Sequence, residues 1–252
     1  MVRRVRVALA AALLCLLTTA CSGATPGIRP GGSVGPTGTL TVVAARSLVP
    51  ILGKLAIEYT KANPLVRITV RPVASPPEPL AGTDLVAGEG MSLAPIMEAL
   101  VSTPVLFASD QLVIAVAQGN PKQVAGLADL ARADVKAALC ADSQPCGGAA
   151  GQLLADGQIG LTPAARPADG AAAVAEVAAG RVDAALVYRT HARAANDAVA
   201  TVEFSQSRQA TAEYRIAAVR TSVNGRAAQD FLTYVTSPAA ADTLSSAGYR
   251  PP

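Results

Sequence analysis

The sequence predicts an α/β fold in which mostly parallel sheets are flanked by helices. Segments of apolar, β-branched character alternate along the chain with segments of helical apolar spacing, as strand–helix–strand units require. Hydrophobic residues make up 51% of the 252, enough to bury one large core or two smaller ones. The clearest stretch, residues 40–52, runs as an apolar strand directly into an amphipathic helix.

The first 20 residues read as an export signal. Arg3, Arg4 and Arg6 supply the charged region, residues 7–17 the apolar region, and Thr18, Thr19 and Ala20 the small-residue end. The apolar run is short of the ~20 residues a spanning helix needs, and no later segment qualifies. Cys21 follows directly, as in the lipobox of bacterial lipoproteins, although Thr18 stands where a leucine is usual. We therefore expect lipidation at Cys21 and residence on the outer face of the cytoplasmic membrane, with simple cleavage and secretion as the alternative. Residues 21–38 are rich in Gly, Pro, Ser, Thr and Ala without apolar periodicity, and read as a flexible tether.

Strands are predicted at 40–45, 66–71, 84–87, 111–117, 135–140, 183–188, 201–204 and 214–219 from short apolar runs bounded by turn residues. Helices are predicted at 48–61, 93–101, 147–154, 172–179, 227–235 and 239–246 from apolar spacing and from stop signals such as Asn63-Pro64.

Charge excludes one function class. Of the 21 basic residues, three lie in the leader, and without them basic and acidic residues balance at 18 each. No basic run with interleaved aromatics exists, so nucleic acid is not an expected partner. Aromatics are 3% and Trp is absent, which argues against a sugar cleft built by ring stacking. Enzymatic motifs are missing as well: no G-x-S-x-G, S-x-x-K, H-E-x-x-H or phosphate loop occurs. The single histidine, His191, is expected on a helix surface rather than as a general base. No cofactor or resident metal is expected.

Three strand-to-helix junctions carry the chemistry. In the first, Ser47 is expected as an N-cap at the carboxyl end of a strand, where open α/β sheets bind ligands and where helix N–H groups attract anions. In the second, a strand ends at Cys140 and a helix starts beyond Cys146, with Gly147 and Gly148 letting the backbone approach a ligand closely; a tight Gly-rich turn would read the same. An exported chain with this close cysteine pair is expected to bond Cys140 to Cys146, contributing roughly 2 kcal/mol in the chain-entropy account. In the third, Asp169-Gly170 opens an Ala-rich helix, and the following strand ends on Tyr188. That phenol either aims into a cleft or lies in the core.

Taken in order, these features resemble the molybdate-binding, substrate-binding components of bacterial ABC importers, which have the type II periplasmic-binding-protein fold. The resemblance covers about residues 40–252. It rests on the strand–Ala44-Ala45-x-Ser47-Leu48–helix opening, Gly119-Asn120-Pro121 with Leu127 to Leu130, and Pro145-Cys146-Gly147. The run from Gly180 to Tyr188 and the ending from Ala247 to Pro252 complete it. The resemblance implies two lobes, 39–114 with 212–252 and 115–211, joined by crossover strands. It implies a monomer that holds a tetrahedral oxyanion (molybdate or tungstate, with sulfate as a further candidate) and passes it to an ABC permease. Carried over residue by residue, the ligands are Ser47, Ser75, Cys146, Gly170 and Tyr188, all neutral donors. These positions offer no carboxylate to receive a proton, which favours a fully deprotonated dianion over monohydrogen phosphate.

The chain departs from the family pattern at Arg46, where a small residue is usual and which becomes an extra ligand contact if it faces the cleft. It departs again in the Pro-rich run after Ser75 and in the stretch 84–90. These departures sustain an alternative: an envelope lipoprotein that kept the fold and lost oxyanion binding, or a binder of another anion such as sulfate.

Overall fold

The computed structural model describes residues 35–73, 80–209 and 211–252. The leader, Cys21, most of the tether and Ser75 lie outside the described residues. Eight strands build the sheet: β1 (Gly38–Ala44), β2 (Val66–Pro72), β3 (Leu85–Glu89), β4 (Val105–Val116), β5 (Ala137–Leu139), β6 (Ala184–Tyr188), β7 (Ala200–Val202) and β8 (Thr211–Ala218). Six α-helices accompany them: α1 (Val49–Ala62), α2 (Pro145–Asp156), α3 (Gly170–Ala178), α4 (Arg189–Ala194), α5 (Gly225–Val235) and α6 (Pro238–Ser246).

The strand order is β2-β1-β3-β8-β4-β6-β5, with β7 also on β4. β1 pairs in parallel with β2 and β3, and β8 lies antiparallel between β3 and β4. Further along, β4 pairs antiparallel with β6 and β7, while β5 runs parallel to β6. The sheet is thus mixed, and each half is parallel except for one crossing strand, β8 in the first and β4 in the second. β4 belongs to both halves. Its partner changes between Gln111, opposite Thr211 of β8, and Leu112, opposite Tyr188 of β6.

That strand begins at Val105, six residues before the start expected from the sequence. Asp110 disguised the continuity, because a carboxylate in an apolar run reads as a boundary. It is 1% exposed and satisfied, with Oδ1 accepting from the Gln111 N–H at 2.8 Å and Oδ2 from the Thr190 hydroxyl at 2.6 Å. A buried polar group is tolerated when it is bonded.

α1 buries Ile51, Leu52, Leu55, Ala56 and Tyr59 against the sheet. The Asn63 side chain and backbone both donate to the Tyr59 carbonyl and close the helix. Tyr59 meets Phe231 of α5 edge to face at 5.2 Å, and Glu58 accepts from Tyr234 and Thr243. One continuous core runs from Leu40 to Tyr249 through both halves of the sheet. The helix expected at 93–101 is instead a run of 3-10 turns over Gly90–Ala99. Pro95 lies inside it and lacks the N–H an α-helix would need. The short α4 carries His191, which was expected on a helix, but its bounds were not delimited from the sequence because six residues show no apolar period.

The structure joins Cys140 and Cys146 in a disulfide, with Cα atoms 5.9 Å apart. Gly147 was expected to clear space for a ligand. Its missing side chain clears space for the chain itself, because a Cβ there would lie 2.1 Å from the Ala141 carbonyl oxygen. Gly148 has open space around it. Gly147→Ala should therefore cost about 1–3 kcal/mol through overpacking, whereas Gly148→Ala should be neutral or stabilise by up to ~1 kcal/mol through helix propensity. Thermal denaturation of the two variants checks this; equal midpoints would mean the loop yields freely.

Candidate functional site

The chain ends that converge on the sheet's carboxyl edges enclose a small cavity of about 70 Å³. Its walls include Ser47 after β1, Cys146 in the first turn of α2, Gly170 at the start of α3, and Tyr188 at the end of β6. Four residues singled out from the sequence, 141 positions apart at the extremes, thus share one space.

Each arrives by a local rule. Ser47 was expected to cap α1, but it sits within a 3-10 turn, Arg46–Leu48, and makes no side-chain cap bond; Leu48 takes the N-cap position. The correction has a physical cause: the chain leaves β1 through a tight turn closed by the Leu48 N–H on the Ala45 carbonyl. The Ser47 hydroxyl is thereby left for the cavity. Cys146 and Gly170 stand where N–H groups have no intrahelical acceptor, and both are buried. Asp169 caps α3 by accepting from the Ala172 N–H at 2.8 Å. Tyr188 is 6% exposed, and its hydroxyl makes no hydrogen bond to the described residues. Burial, with the Glu89 and Asp110 carboxylates adding to it, pushes its pKa far up, so it stays a phenol donor.

Arg46 is exposed and is not among the residues that line the cavity. Ser75 lies outside the described residues.

Several wall residues were not anticipated. Tyr214 and Glu89 face each other across the β3–β8 pair, a register no local pattern reveals. Thr190 and His191 follow Tyr188 at the start of α4. His191 is not the surface residue expected; it lines the cavity, and burial lowers its pKa while Asp169 opposes the shift. Its presence as a lone histidine three positions after Tyr188 was the available signal. Glu89 is half-buried, and burial raises its pKa. Its carboxylate adds to the cavity wall an acceptor that the positions singled out from the sequence do not supply.

Residues 40–250 match the family model for bacterial extracellular solute-binding proteins. The chain belongs to that family. It is a family of binding proteins rather than enzymes, as the missing catalytic motifs led us to expect. The molybdate-binding protein ModA of Mycobacterium bovis is 26% identical over 255 positions, covering 97% of each chain. Among solved structures, the substrate-binding domain of a putative molybdenum ABC transporter from Clostridium difficile superposes with a TM-score of 0.71 at 24% identity, covering 85% of this chain and 99% of that one. The sulfate-binding protein SubI of Mycobacterium tuberculosis superposes at 0.64 with 20% identity, covering 84% and 86%. These likenesses establish the type II periplasmic-binding-protein fold for this solute-binding protein.

Asp110, beneath the site, has a measurable signature. Burial lifts its pKa to about 6 against the hydrogen bonds from Thr190 and Gln111, which act to lower it. The folded protein then binds more protons than the unfolded chain between about pH 4 and pH 6, so this group's contribution to stability is lost as pH rises through that window. Asp110→Asn should remove that slope, worth up to about 3 kcal/mol across the window. Denaturant melts of both proteins from pH 4 to pH 7 check it; parallel curves would show that Asp110 ionises as freely folded as unfolded.

Proposed function

We propose that this solute-binding protein is an extracytoplasmic lipoprotein, anchored through Cys21, that captures a tetrahedral oxyanion and delivers it to an ABC permease. Molybdate or tungstate is the preferred ligand, and the working unit is a monomer. The lobes 39–114 with 212–252 and 115–211 close on the anion from either side.

The observation that carries this reading is the convergence of Ser47, Cys146, Gly170 and Tyr188 on one small cavity. A hydroxyl, a phenol and the first-turn N–H groups of two helices are the donors an acceptor-only anion requires. A volume of about 70 Å³ is far below the several hundred Å³ of sites for larger organic ligands. The names of the mycobacterial and clostridial relatives favour molybdate, and that of SubI favours sulfate. The absence of a membrane-crossing helix among the described residues is compatible with anchoring by lipid alone.

Glu89 favours a second reading. A carboxylate in the wall would accept a hydrogen bond from a ligand that keeps a proton, such as monohydrogen phosphate, and would repel one that does not.

Calorimetric titration with molybdate, tungstate, sulfate and phosphate separates these. The first reading expects one-to-one binding of molybdate or tungstate and a rise in melting temperature with ligand; phosphate alone binding would select the second. Silence from all four would leave an envelope lipoprotein that kept the fold without the ligand. Ser47→Ala should weaken binding by about ten- to a hundred-fold, through loss of a charge-assisted hydrogen bond of roughly 1.5–3 kcal/mol, in a protein that still folds because Ser47 caps nothing. Unchanged affinity in that variant would remove Ser47 from the ligand set.

A further inference from the structure

The cleft contains an imidazole nitrogen with no hydrogen-bond partner among the described residues, the enclosed Nδ1 of His191. The ring lies against Gly170 so closely that a Cβ on that residue would fall 2.1 Å from Nδ1. Gly170 is thus a glycine because the imidazole fills its side-chain space. His191 also lines an adjoining cavity of about 390 Å³, with Ser47 and Thr190 common to both.

The charges around this ring are unusual for an anion site. Glu89 and Asp169 stand in the walls of the small cavity, with no lysine or arginine among its described lining residues. Asp110 lies behind Thr190, bonded to it. Tyr188, Tyr214 and Tyr249 are phenols that burial keeps neutral. Lys54 borders only the adjoining cavity. The arginines of α4 are engaged elsewhere, Arg189 with Glu203 and Arg193 with the Ser246 carbonyl. Among the described walls of the small cavity, His191 is the one side chain able to become a cation.

We propose that His191 is the counter-ion of the bound anion, neutral before binding and protonated with the anion in place, so that capture takes up a proton. The inference rests on the reading of the cleft as an oxyanion site. Before binding, enclosure disfavours the imidazolium, and the partial positive charge at the start of α3 acts in the same direction. A dianion beside the ring reverses the balance, because an opposite charge at contact distance favours the charged form. Linkage is reciprocal: if the anion raises the histidine pKa, the proton raises anion affinity by the same factor. Affinity should then fall about tenfold per pH unit as pH rises between the pKa of the free protein and that of the complex.

His191 is the only histidine in the chain, so the imidazole NMR signal of tag-free protein reports it without assignment. With saturating molybdate, or with sulfate, the titration midpoint should rise by about one pH unit or more. Calorimetry in two buffers of unlike ionisation heat should show proton uptake that is largest midway between the two midpoints, about half a proton for a one-unit rise and approaching one for a rise of two units or more. His191→Gln should abolish the uptake and flatten affinity against pH, while Glu89→Gln retains the uptake. An unmoved midpoint in protein that binds the anion overturns this proposal and leaves the oxyanion reading intact. Uptake that survives in His191→Gln and vanishes in Glu89→Gln overturns it too, assigning the proton to the glutamate. Failure of the wild-type chain to bind any of the oxyanions at about pH 6, where the imidazole charges most readily, overturns both together.

Discussion

The architecture depends on β4 serving two sheets at once. From Val105 to Gln111 it is held by β8, and from Leu112 to Val116 by β6 and β7. Everything contributed to the cavity hangs from one side or the other of that exchange. Ser47 follows β1 and Glu89 ends β3, both strands reached through β8, and Tyr188 ends the strand on the other side. A buried carboxylate occupies the point of change, and its bond to Thr190 ties the strand to the start of α4. The relative position of the donors is therefore set by backbone pairing across one strand, with Asp110 linking that strand to the helix carrying His191.

The site combines neutral donors with negative walls. Ser47, Tyr188 and two helix starts offer positive partial charge without any full cation, while Glu89 and Asp169 add negative charge nearby. Asp169 is occupied in capping α3, where it accepts from the Ala172 N–H and its charge is partly offset by the positive end of that helix. A carboxylate and an imidazole in one small space, each with its charged form disfavoured by burial, make the protonation state of the walls part of the binding chemistry. Such a site would choose ligands by charge and proton count as much as by size.

The disulfide loop shows how tightly the second junction is built. Cys140 ends beyond β5, Cys146 opens α2, and Gly147 has no room for a methyl group above the Ala141 carbonyl. Arg166 pairs with Asp142 across the same loop. A turn constrained covalently and sterically presents its first N–H groups in a fixed direction, which lowers the ordering cost of binding. The glycine there serves the scaffold.

Much of this was legible in the chain. The alternation of apolar runs with helical spacing located all eight strands, since burial of a two-sided sheet demands those runs wherever they occur. The three junctions were visible because strand ends, glycines and helix starts are local signals, and the cysteine pair because compartment and spacing are local too. The full length of β4 was hidden by Asp110, whose partner Thr190 is 80 positions away. Glu89 and Tyr214 were hidden for the same reason: they meet only through the antiparallel register of β3 and β8. The chain pattern left Arg46 open between solvent and cleft; it is exposed, and the tight turn after β1 brings Ser47 rather than Arg46 to the cavity wall. The sequence by itself determined the strands, their order, most of the α-helices and the neutral donor groups at their ends. Tertiary structure alone decided which charges share the cavity with those donors, because electrostatic environment depends on distances through space that no stretch of chain encodes locally.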